Sequence, residues 1–408
     1  MRWEFLWSAL SGILLTLSYP VFNFEFFAFF SFVPLFLAVK NATLKKAFFL
    51  SYISGLVFFI VTIYWLIHVT LLGLILLVLY LSLYFGVFGI FLKLLTPDSK
   101  FQAIITIPAV WVLLEWLRSI LLSGFGWALL GYSQYLNLPV IQIADITGVW
   151  GVSFLVMMVN VGIWRLIAEK RKKEILVSMI CLLIVLGYGY FKLSRRIDGK
   201  VLKISVIQGN VPQHEKWDER FKEEILARYE TLTKKAAMET PDLILWPETA
   251  LPGIVDEEPQ LLELVLKIAK DVKIPMLVGA VTREGANYYN SAILISEKGK
   301  IIGRYDKLHL VPFGEYVPFE KYYPYLRTLI GVPIGDFVAG KEYAVLKTED
   351  LNEFSVLICF EDIIPVLSRR FVERGAKFLV NITNDGWFMR SSAPYQHAQA
   401  SVFRAVEN

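Results

Sequence analysis

The sequence predicts a polytopic α-helical membrane domain over residues 1–195, followed by an α/β domain over residues 196–408. Three features predict this division. The chain is 56% hydrophobic, most of its charged residues follow Arg195, and from Val201 onward short apolar strands alternate with amphipathic helices. The net charge of +4 is small for 408 residues, which argues against nucleic acid as a partner.

The first half contains seven apolar segments, and about 20 such residues are needed to cross the hydrocarbon core of a membrane. The first segment lacks a small-residue cleavage site and another follows it at once. We therefore expect it to be retained as a span rather than removed as a signal peptide. The seven predicted spans are residues 3–19, 22–39, 47–69, 71–95, 101–121, 148–168 and 175–191.

Basic residues in the short loops predict the orientation of these spans. If the N-terminus is cytoplasmic, the inner loops carry most of the loop lysines and arginines, as the positive-inside rule requires. These basic positions are 40, 45, 46, 93, 100, 165 and 170–173. Seven crossings then put everything after residue 191 outside the cytoplasm. A basic cluster at residues 192–200 opposes this orientation, and it is explained equally well by contact with lipid headgroups or by a solvated linker.

Two charged residues near the end of the fifth predicted span, Glu115 and Arg118, lie three positions apart and would face the same side of a helix. Because they lie near the membrane interface, we expect a structural ion pair rather than a substrate site. The glycine- and aromatic-rich segment 124–134 follows them. It is typical of an interfacial loop suited to lipid contact.

The second half alternates strands and helices, with a hairpin where the turn 297–300 joins two strands. Pro247 ends one strand, and Gly375 ends one helix. Strands are predicted at residues 201–208, 243–246, 276–281, 291–296, 301–305, 354–358 and 377–381. Helices are predicted at residues 218–238 and 257–272, from the end of the sixth strand to residue 374, and at residues 395–407.

Three polar residues in this half, Glu248, Lys307 and Cys359, lie at the ends of apolar strands or among apolar residues. Such positions gather at the carboxyl edge of an α/β sheet, where ligands bind. A buried carboxylate can act as a base, a lysine can stabilise an oxyanion, and an activated thiol is a nucleophile. Each alone has an ordinary explanation, as a capping carboxylate, a surface cation or a core residue. Together they predict an active site, to which Glu315 and Glu361 add nearby carboxylates.

The sequence does not favour a metal or cofactor site. The four histidines, at positions 68, 214, 309 and 397, do not pair at metal-ligand spacing. No serine nucleophile elbow and no phosphate-binding glycine-rich loop occurs in the sequence. We therefore predict catalysis by side chains alone, without a metal or cofactor.

The residues around the three candidates resemble those of a known family. Glu248 lies in W-P-E-T, Lys307 in Y-D-K-L-H-L-V-P-F-G-E-Y and Cys359 in I-C-F-E, a pattern similar to the Glu-Lys-Cys triad of the nitrilase superfamily. With seven preceding spans, the chain resembles the apolipoprotein N-acyltransferase family within that superfamily. Segments 126–134, 208–213 (with Trp217) and 381–387 also resemble segments of that family.

The resemblance implies a four-layer αββα sandwich and a role for each candidate residue. Glu248 is expected to be the general base, Cys359 the nucleophile and Lys307 the oxyanion stabiliser, with Glu315 as a second essential carboxylate and Glu361 as a supporting one. The cysteine would take an acyl chain from a membrane phospholipid as a thioester. The N-terminal amine of a diacylglyceryl-cysteine apolipoprotein would then accept that chain as an amide.

The resemblance also bears on substrate contacts, location and chain length. Trp217, Trp387, Asn384 and Tyr316 are candidate substrate-binding residues, whereas Trp246 is expected to pack in the core. The expected location is the bacterial inner membrane, with the catalytic domain on the periplasmic side. Family members continue past the segment equivalent to residues 395–408 with further strands and an eighth span. We therefore expect that a C-terminal part and a final transmembrane helix are missing from this sequence.

Two alternatives stay open at this point. A membrane-tethered amidase or nitrilase would use the same triad with water as the acceptor, and the triad alone does not separate hydrolysis from transfer. An inactive scaffold or a transporter is disfavoured, because the spans carry few charges and all three triad residues are present.

Overall fold

A computed structural model describes residues 2–95, 102–196, 199–318, 336–348 and 353–408 of the chain. The chain divides into two compact units, one of Met1–Ile197 with Arg390–Asn408 and one of Asp198–Met389. Phe101, the predicted start of the fifth span, and Lys100, in a predicted inner loop, lie outside the described residues.

The first unit is helical. Its described helices are α1 (Arg2–Leu17), α2 (Val33–Val39), α3 (Leu44–Thr62), α4 (Leu71–Leu95), α5 (Ala103–Arg118), α6 (Leu138–Ile141), α7 (Ala144–Glu169) and α8 (Lys172–Ser194). Four of these helices are long and apolar enough to cross a membrane, namely α3, α4, α7 and α8. The helices α1 and α2 are shorter, and α5 contains Pro108. Short 3-10 helices lie at Glu25–Phe29, Tyr64–His68, Leu121–Ser123 and Leu130–Gln134.

The second predicted span is broken into the 3-10 helix Glu25–Phe29 and the helix α2. Asn160 of α7 holds the break: its Oδ1 accepts a hydrogen bond from the backbone N–H of Phe32 at 2.8 Å, and its Nδ2 donates to the carbonyl of Ala28 at 2.8 Å. A buried amide thus satisfies the backbone groups that an unbroken helix would have paired.

The segment 124–134 is predicted to contact lipid, but in the structure residues 124 and 125 are half-buried and residues 126–134 are buried within the first unit. Glu115 Oε1 accepts a hydrogen bond from the N–H of Leu130 at 2.6 Å, and Arg118 Nη1 donates to the carbonyl of Trp127 at 2.7 Å. Glu115 and Arg118 therefore bind the backbone of this segment, because an irregular buried chain needs partners for its polar groups.

The described part of the second unit contains two sheets. Their strands are β1 (Ile204–Val206), β2 (Leu243–Leu245), β3 (Met276–Glu284), β4 (Asn287–Ile295), β5 (Ile301–Asp306), β6 (Phe354–Ile358) and β7 (Phe378–Ile382). The larger sheet has the strand order β1-β2-β3-β4-β5, with parallel pairing between β1, β2 and β3 and antiparallel pairing between β3, β4 and β5. The smaller sheet is the parallel pair β6-β7.

Among its described residues, this unit has the helices α9 (Lys222–Ala237), α10 (Pro259–Val272) and α11 (Pro365–Glu373). Short 3-10 helices lie at Glu219–Phe221, Cys359–Ile363 and Asp385–Phe388. Alternate residues of the larger sheet point to opposite faces. Ile244 packs with α9 and α10, whereas Leu243 and Leu245 pack with β6, β7 and α11. Each face of the larger sheet therefore has its own apolar core.

The predicted strands 276–281 and 291–296 are longer in the structure, because β3 and β4 form a hairpin. Their pairing continues to Glu284 opposite Asn287, and Gly285 in the turn has a φ of +60°. Two-residue hairpin turns favour such a conformation, which glycine adopts without strain.

A last helix, α12 (Ala393–Glu407), belongs to the first unit, although the sequence prediction assigned residues 196–408 to a second domain. Gln396 of α12 is buried there, and its Oε1 accepts hydrogen bonds from the indole N–H groups of Trp65 at 3.0 Å and Trp127 at 2.8 Å. Glu407 caps the backbone N–H of Val149 at 2.8 Å, where α7 is kinked. These polar contacts explain why α12 packs with the helical unit.

Candidate active site

Glu248 lies in a turn that follows β2, directly after Pro247. Thr249 in this turn has a φ of +45°, a conformation that β-branched residues rarely adopt. The turn lies against Gly279 of β3, where an added Cβ would be only 2.2 Å from the carbonyl oxygen of Pro247. The N–H of Ala250 donates to the carbonyl of Gly279 at 2.8 Å. Close contact with β3 therefore fixes the backbone that carries Glu248.

Lys307 follows β5 directly, and its side chain is only 1% exposed. Its Nζ is 2.9 Å from Glu315 Oε2 and 3.5 Å from Glu248 Oε1. Burial by itself lowers the pKa of Lys307, but the negative charges of Glu315, Glu248 and Cys359 outweigh burial and raise this pKa above its ordinary value. Lys307 is therefore a cation at neutral pH, suited to stabilising a negative oxygen.

Asn290 of β4, which was not predicted from the sequence, connects the two carboxylates. Its Nδ2 donates to Glu248 Oε1 at 2.7 Å and to Glu315 Oε1 at 2.8 Å. Its backbone carbonyl accepts a hydrogen bond from the N–H of Lys307 at 2.9 Å. Asn290 thus holds both carboxylates beside the ammonium group. The only sequence signal is a pair of polar residues, Asn290 and Ser291, at the start of an otherwise apolar run.

Cys359 follows β6 and begins the 3-10 helix Cys359–Ile363. Its φ is +53°, a left-handed conformation that is uncommon outside glycine and that tends to occur at functional sites. Asn381 of β7 donates its side-chain amide to the Cys359 carbonyl at 3.4 Å. A negative charge on Cys359 is among the influences that raise the pKa of Lys307, after those of Glu315 and Glu248.

Glu361 is fully buried and joins the segment that carries Lys307 to the one that carries Cys359. Its carboxylate accepts hydrogen bonds from the N–H groups of Ile358 at 2.7 Å, Leu308 at 2.8 Å and His309 at 3.0 Å. The hydroxyl of Tyr305 also donates to it, at 2.8 Å. Burial raises the pKa of Glu361 to about 7, against the opposing effect of these donors and of Lys307.

The four candidate substrate-binding residues have different surroundings. The backbone N–H of Asn384 donates to Glu248 Oε2 at 2.9 Å, so Asn384 contacts the candidate base. Trp217 and Trp387 are 49% and 42% exposed. Tyr316 is half-buried in the loop that carries Glu315 and pairs with Pro312 through a β-bridge. Trp246 is buried, and its indole N–H donates to Thr233 Oγ1 at 2.9 Å, as expected of a packing residue.

The site is therefore built from the three chain segments that directly follow strands β2, β5 and β6. Hydrogen bonds from Asn290 and to Glu361 connect these segments. Among the described residues, no cluster of three or more histidine, cysteine or acidic side chains could hold a metal ion. A buried cation between two carboxylates, near a thiol in a strained turn, can support proton abstraction and acyl transfer through sulfur.

The sequence matches two protein families. Residues 11–162 match the apolipoprotein N-acyltransferase N-terminal domain, and residues 203–408 match the carbon-nitrogen hydrolase family. These matches confirm the predicted fold class of a helical membrane domain followed by a nitrilase-like domain. The chain is thus a membrane protein, with four helices of spanning length among those described.

Individual relatives agree with these matches. The apolipoprotein N-acyltransferase of Geobacter metallireducens is 42% identical over 100% of this chain and 82% of its own length. That of Chlorobaculum tepidum is 32% identical over 98% of this chain and 82% of its own length.

Solved structures of lower similarity include an amidase from Nesterenkonia sp., at 20% identity, TM-score 0.36 and coverage of 49% of this chain and 73% of that one. A carbon-nitrogen hydrolase from Helicobacter pylori has 14% identity, TM-score 0.37 and coverage of 50% and 68%. The full-length relatives and the two family matches show that this chain belongs to the apolipoprotein N-acyltransferase family, whose members are enzymes.

Proposed function

We propose that the chain transfers an acyl chain from a membrane phospholipid to the N-terminal amine of diacylglyceryl-cysteine apolipoproteins, through a thioester on Cys359. The observation that carries this proposal is the Lys307 ammonium, buried between Glu248 and Glu315 and in electrostatic range of Cys359. The names of the relatives supply the acceptor class.

In the first half-reaction, Glu248 accepts the proton of the Cys359 thiol, and the sulfur attacks an ester carbonyl of the phospholipid. Lys307 stabilises the negative oxygen of the tetrahedral intermediate, which an ammonium group in a dry site does far better than water. The ester C–O bond then breaks, and Glu248 returns its proton to the leaving alkoxide. A lysophospholipid departs, and the acyl chain stays on sulfur.

In the second half-reaction, the amine of the diacylglyceryl-cysteine attacks the thioester carbonyl. Glu248 accepts a proton from the amine, Lys307 again stabilises the negative oxygen, and the C–S bond breaks. The proton on Glu248 returns to the thiolate, so an amide is released and the enzyme is restored. Glu315 keeps Lys307 in place, and Glu361 fixes the relative position of the Lys307 and Cys359 segments.

We further propose that the protein is located in the bacterial inner membrane, with a cytoplasmic N-terminus, seven spans and a catalytic unit on the periplasmic side. The basic residues of the predicted inner loops support this orientation. It would put the reaction at the membrane surface, where both the phospholipid donor and the lipid-anchored acceptor are found.

The test is intact-mass measurement of the purified protein after incubation with phospholipid vesicles. We expect a mass increase of one acyl chain that hydroxylamine removes, and Cys359→Ala should not acquire it. A diacylglyceryl-cysteine peptide added next should gain the acyl chain as an amide, whereas the same peptide with a blocked amine should not. Activity of Cys359→Ala equal to that of the wild type would exclude this mechanism. Release of free fatty acid without peptide acylation would instead support the amidase or nitrilase alternative.

A further inference from the structure

Lys216 is a second buried lysine beside the candidate base. It lies in the turn-rich loop between β1 and the 3-10 helix Glu219–Phe221, where the N–H of Glu215 donates to the carbonyl of Pro212 at 3.0 Å. Its neighbour Trp217 is exposed, yet Lys216 itself is only 6% exposed. Lysines are almost never buried to this degree without a polar partner.

The partners of this lysine are in the turn that carries Glu248. Lys216 Nζ donates to the backbone carbonyl of Glu248 at 3.2 Å and to Thr249 Oγ1 at 2.6 Å. Burial lowers the pKa of Lys216 to about 8, and the charge of Glu248 opposes this effect. The lysine thus keeps its hydrogen bonds to the turn despite the free-energy cost of burying its charge.

This turn needs such support because Thr249 has a φ of +45°. A conformation of this kind is unfavourable for a β-branched residue and persists only where the surroundings enforce it. Gly279 packs against one side of the turn. The two hydrogen bonds from Lys216 hold the carbonyl that precedes Thr249 and the hydroxyl of Thr249 itself.

The same loop also reaches the carboxylate of Glu248. Gln213 Oε1 accepts a hydrogen bond from Asn384 Nδ2 at 2.9 Å, and the backbone N–H of Asn384 donates to Glu248 Oε2 at 2.9 Å. Lys216 therefore acts on the backbone of Glu248, whereas Gln213 acts on the carboxylate of Glu248 through Asn384.

We propose that Lys216 is a positioning residue that fixes the turn aiming the Glu248 carboxylate at Lys307 and Asn290. This inference rests on the proposed role of Glu248 as the general base. Lys216 touches neither the thiol nor Lys307 in the contacts described, so it acts through the geometry of Glu248. Displacing a catalytic group by about 1 Å can slow a reaction on the order of 100-fold.

The test is the single-turnover rate of thioester formation on Cys359, measured by intact mass with phospholipid vesicles. Lys216→Met keeps the length of the side chain but removes its hydrogen bonds, and we expect the rate to fall about 10- to 100-fold. The lipid concentration for half-maximal rate should stay unchanged, and Lys216→Arg, which keeps the donors and the charge, should restore most of the rate. Lys222→Met is the matched control, because Lys222 pairs with Glu219 and Glu258 away from the site.

Thr249→Ala is a second test that leaves the lysine in place. It removes one hydrogen bond to Lys216, so we expect a rate lower by about 2- to 10-fold. The positioning role is overturned if either variant folds, as judged by its thermal unfolding midpoint, and forms the thioester at the wild-type rate. It is also overturned if Lys216→Met weakens lipid binding alone. If the wild type forms no thioester, the proposed function itself fails, so the two failures are distinguishable.

Discussion

At the scale of single residues, the site is a charge cluster whose composition suits proton transfer from a thiol. Two carboxylates, Glu248 and Glu315, flank one cation, Lys307. When Glu248 accepts the thiol proton, a negative charge moves to sulfur and the net charge of the cluster does not change. A thiolate close to an ammonium group is stabilised relative to one in an apolar core.

A third carboxylate at position 290 would change the net charge of this cluster, because Asn290 lies within hydrogen-bond distance of both Glu248 and Glu315. Asn290→Asp would replace a donor to Glu248 and Glu315 by a negative charge beside both. Like charges favour protonation, so we expect the pH–rate profile of thioester formation to move to higher pH and the rate at neutral pH to fall at least about 10-fold. Asn287→Asp, at an exposed position of the same strand, is the control and should leave the profile in place.

The raised pKa of Glu361 predicts that stability falls as pH rises toward neutrality. The ordinary pKa of 4.5 applies to the unfolded chain, whereas burial raises the folded value to about 7. Between these values the folded state holds a proton that the unfolded state has lost, so the free energy of unfolding decreases with pH. The decrease is at most about 3 kcal/mol, and it levels off above the folded pKa.

Thermal unfolding of the detergent-solubilised protein over about pH 4 to 8 measures this effect. Glu361→Gln should lose this part of the pH dependence, although it should also be less stable at every pH, because an amide accepts fewer of the surrounding N–H groups. Glu224→Gln, which alters an exposed ion pair with Arg228, should keep the wild-type slope. An identical slope in Glu361→Gln would refute the assignment.

Sequence reasoning identified Glu248, Lys307 and Cys359 because each follows an apolar strand, a position that a linear pattern reveals. It missed Asn290 and Lys216. Asn290 lies inside a strand, and Lys216 lies in a loop among other charged residues. Their roles come from hydrogen bonds to Glu248, which is 42 and 32 positions away in the sequence. No local pattern encodes such distant contacts.

At the scale of the elements, the smaller sheet strands were predicted within a residue or two because they are short apolar runs between turn signals. The outer ends of the β3–β4 hairpin were not, because they lack an apolar run and their last residues, Arg283, Glu284 and Asn287, are exposed. The broken second span was also missed, since composition shows an unbroken apolar stretch while Asn160 supplies the break from a distant helix.

The close packing between β3 and the Glu248 turn leads to a prediction about Gly279. Gly279→Ala would bring a Cβ to 2.2 Å from the Pro247 carbonyl and 2.7 Å from the Glu248 Cα, so the backbone of the turn must shift. We expect a loss of stability of about 1–3 kcal/mol and a larger relative loss of thioester formation. Gly199→Ala, where no atom lies within 4 Å of the added Cβ, is the control in the same unfolding and rate assays. Full activity of Gly279→Ala would show that the turn tolerates displacement.

At the scale of the whole molecule, helix α12 belongs to the first unit and not to the second domain in which the sequence prediction placed it. Its residues match the carbon-nitrogen hydrolase family along with the rest of 203–408, but its contacts lie within the helical unit. Amphipathic periodicity predicted a helix here. It could not identify the partner of the buried face, because the buried Gln396 in that face binds groups that are far away in the sequence.

Gln396 provides the test of this arrangement. Its Oε1 accepts from Trp65 and Trp127, and its Nε2 donates to the carbonyl of Thr62 at 2.9 Å, so one side chain joins α12 to three separate parts of the helical unit. Gln396→Leu has similar bulk but removes the acceptor of these two buried indole N–H groups, and each lost hydrogen bond contributes about 0.5–1.5 kcal/mol. We expect a lower thermal unfolding midpoint and altered tryptophan fluorescence in detergent.

Gln142→Leu, which removes a hydrogen bond only to Leu138 of the adjacent helical turn, should change neither. If Gln396→Leu were as stable as the wild type, the place of α12 in the helical unit would not depend on the hydrogen bonds of Gln396.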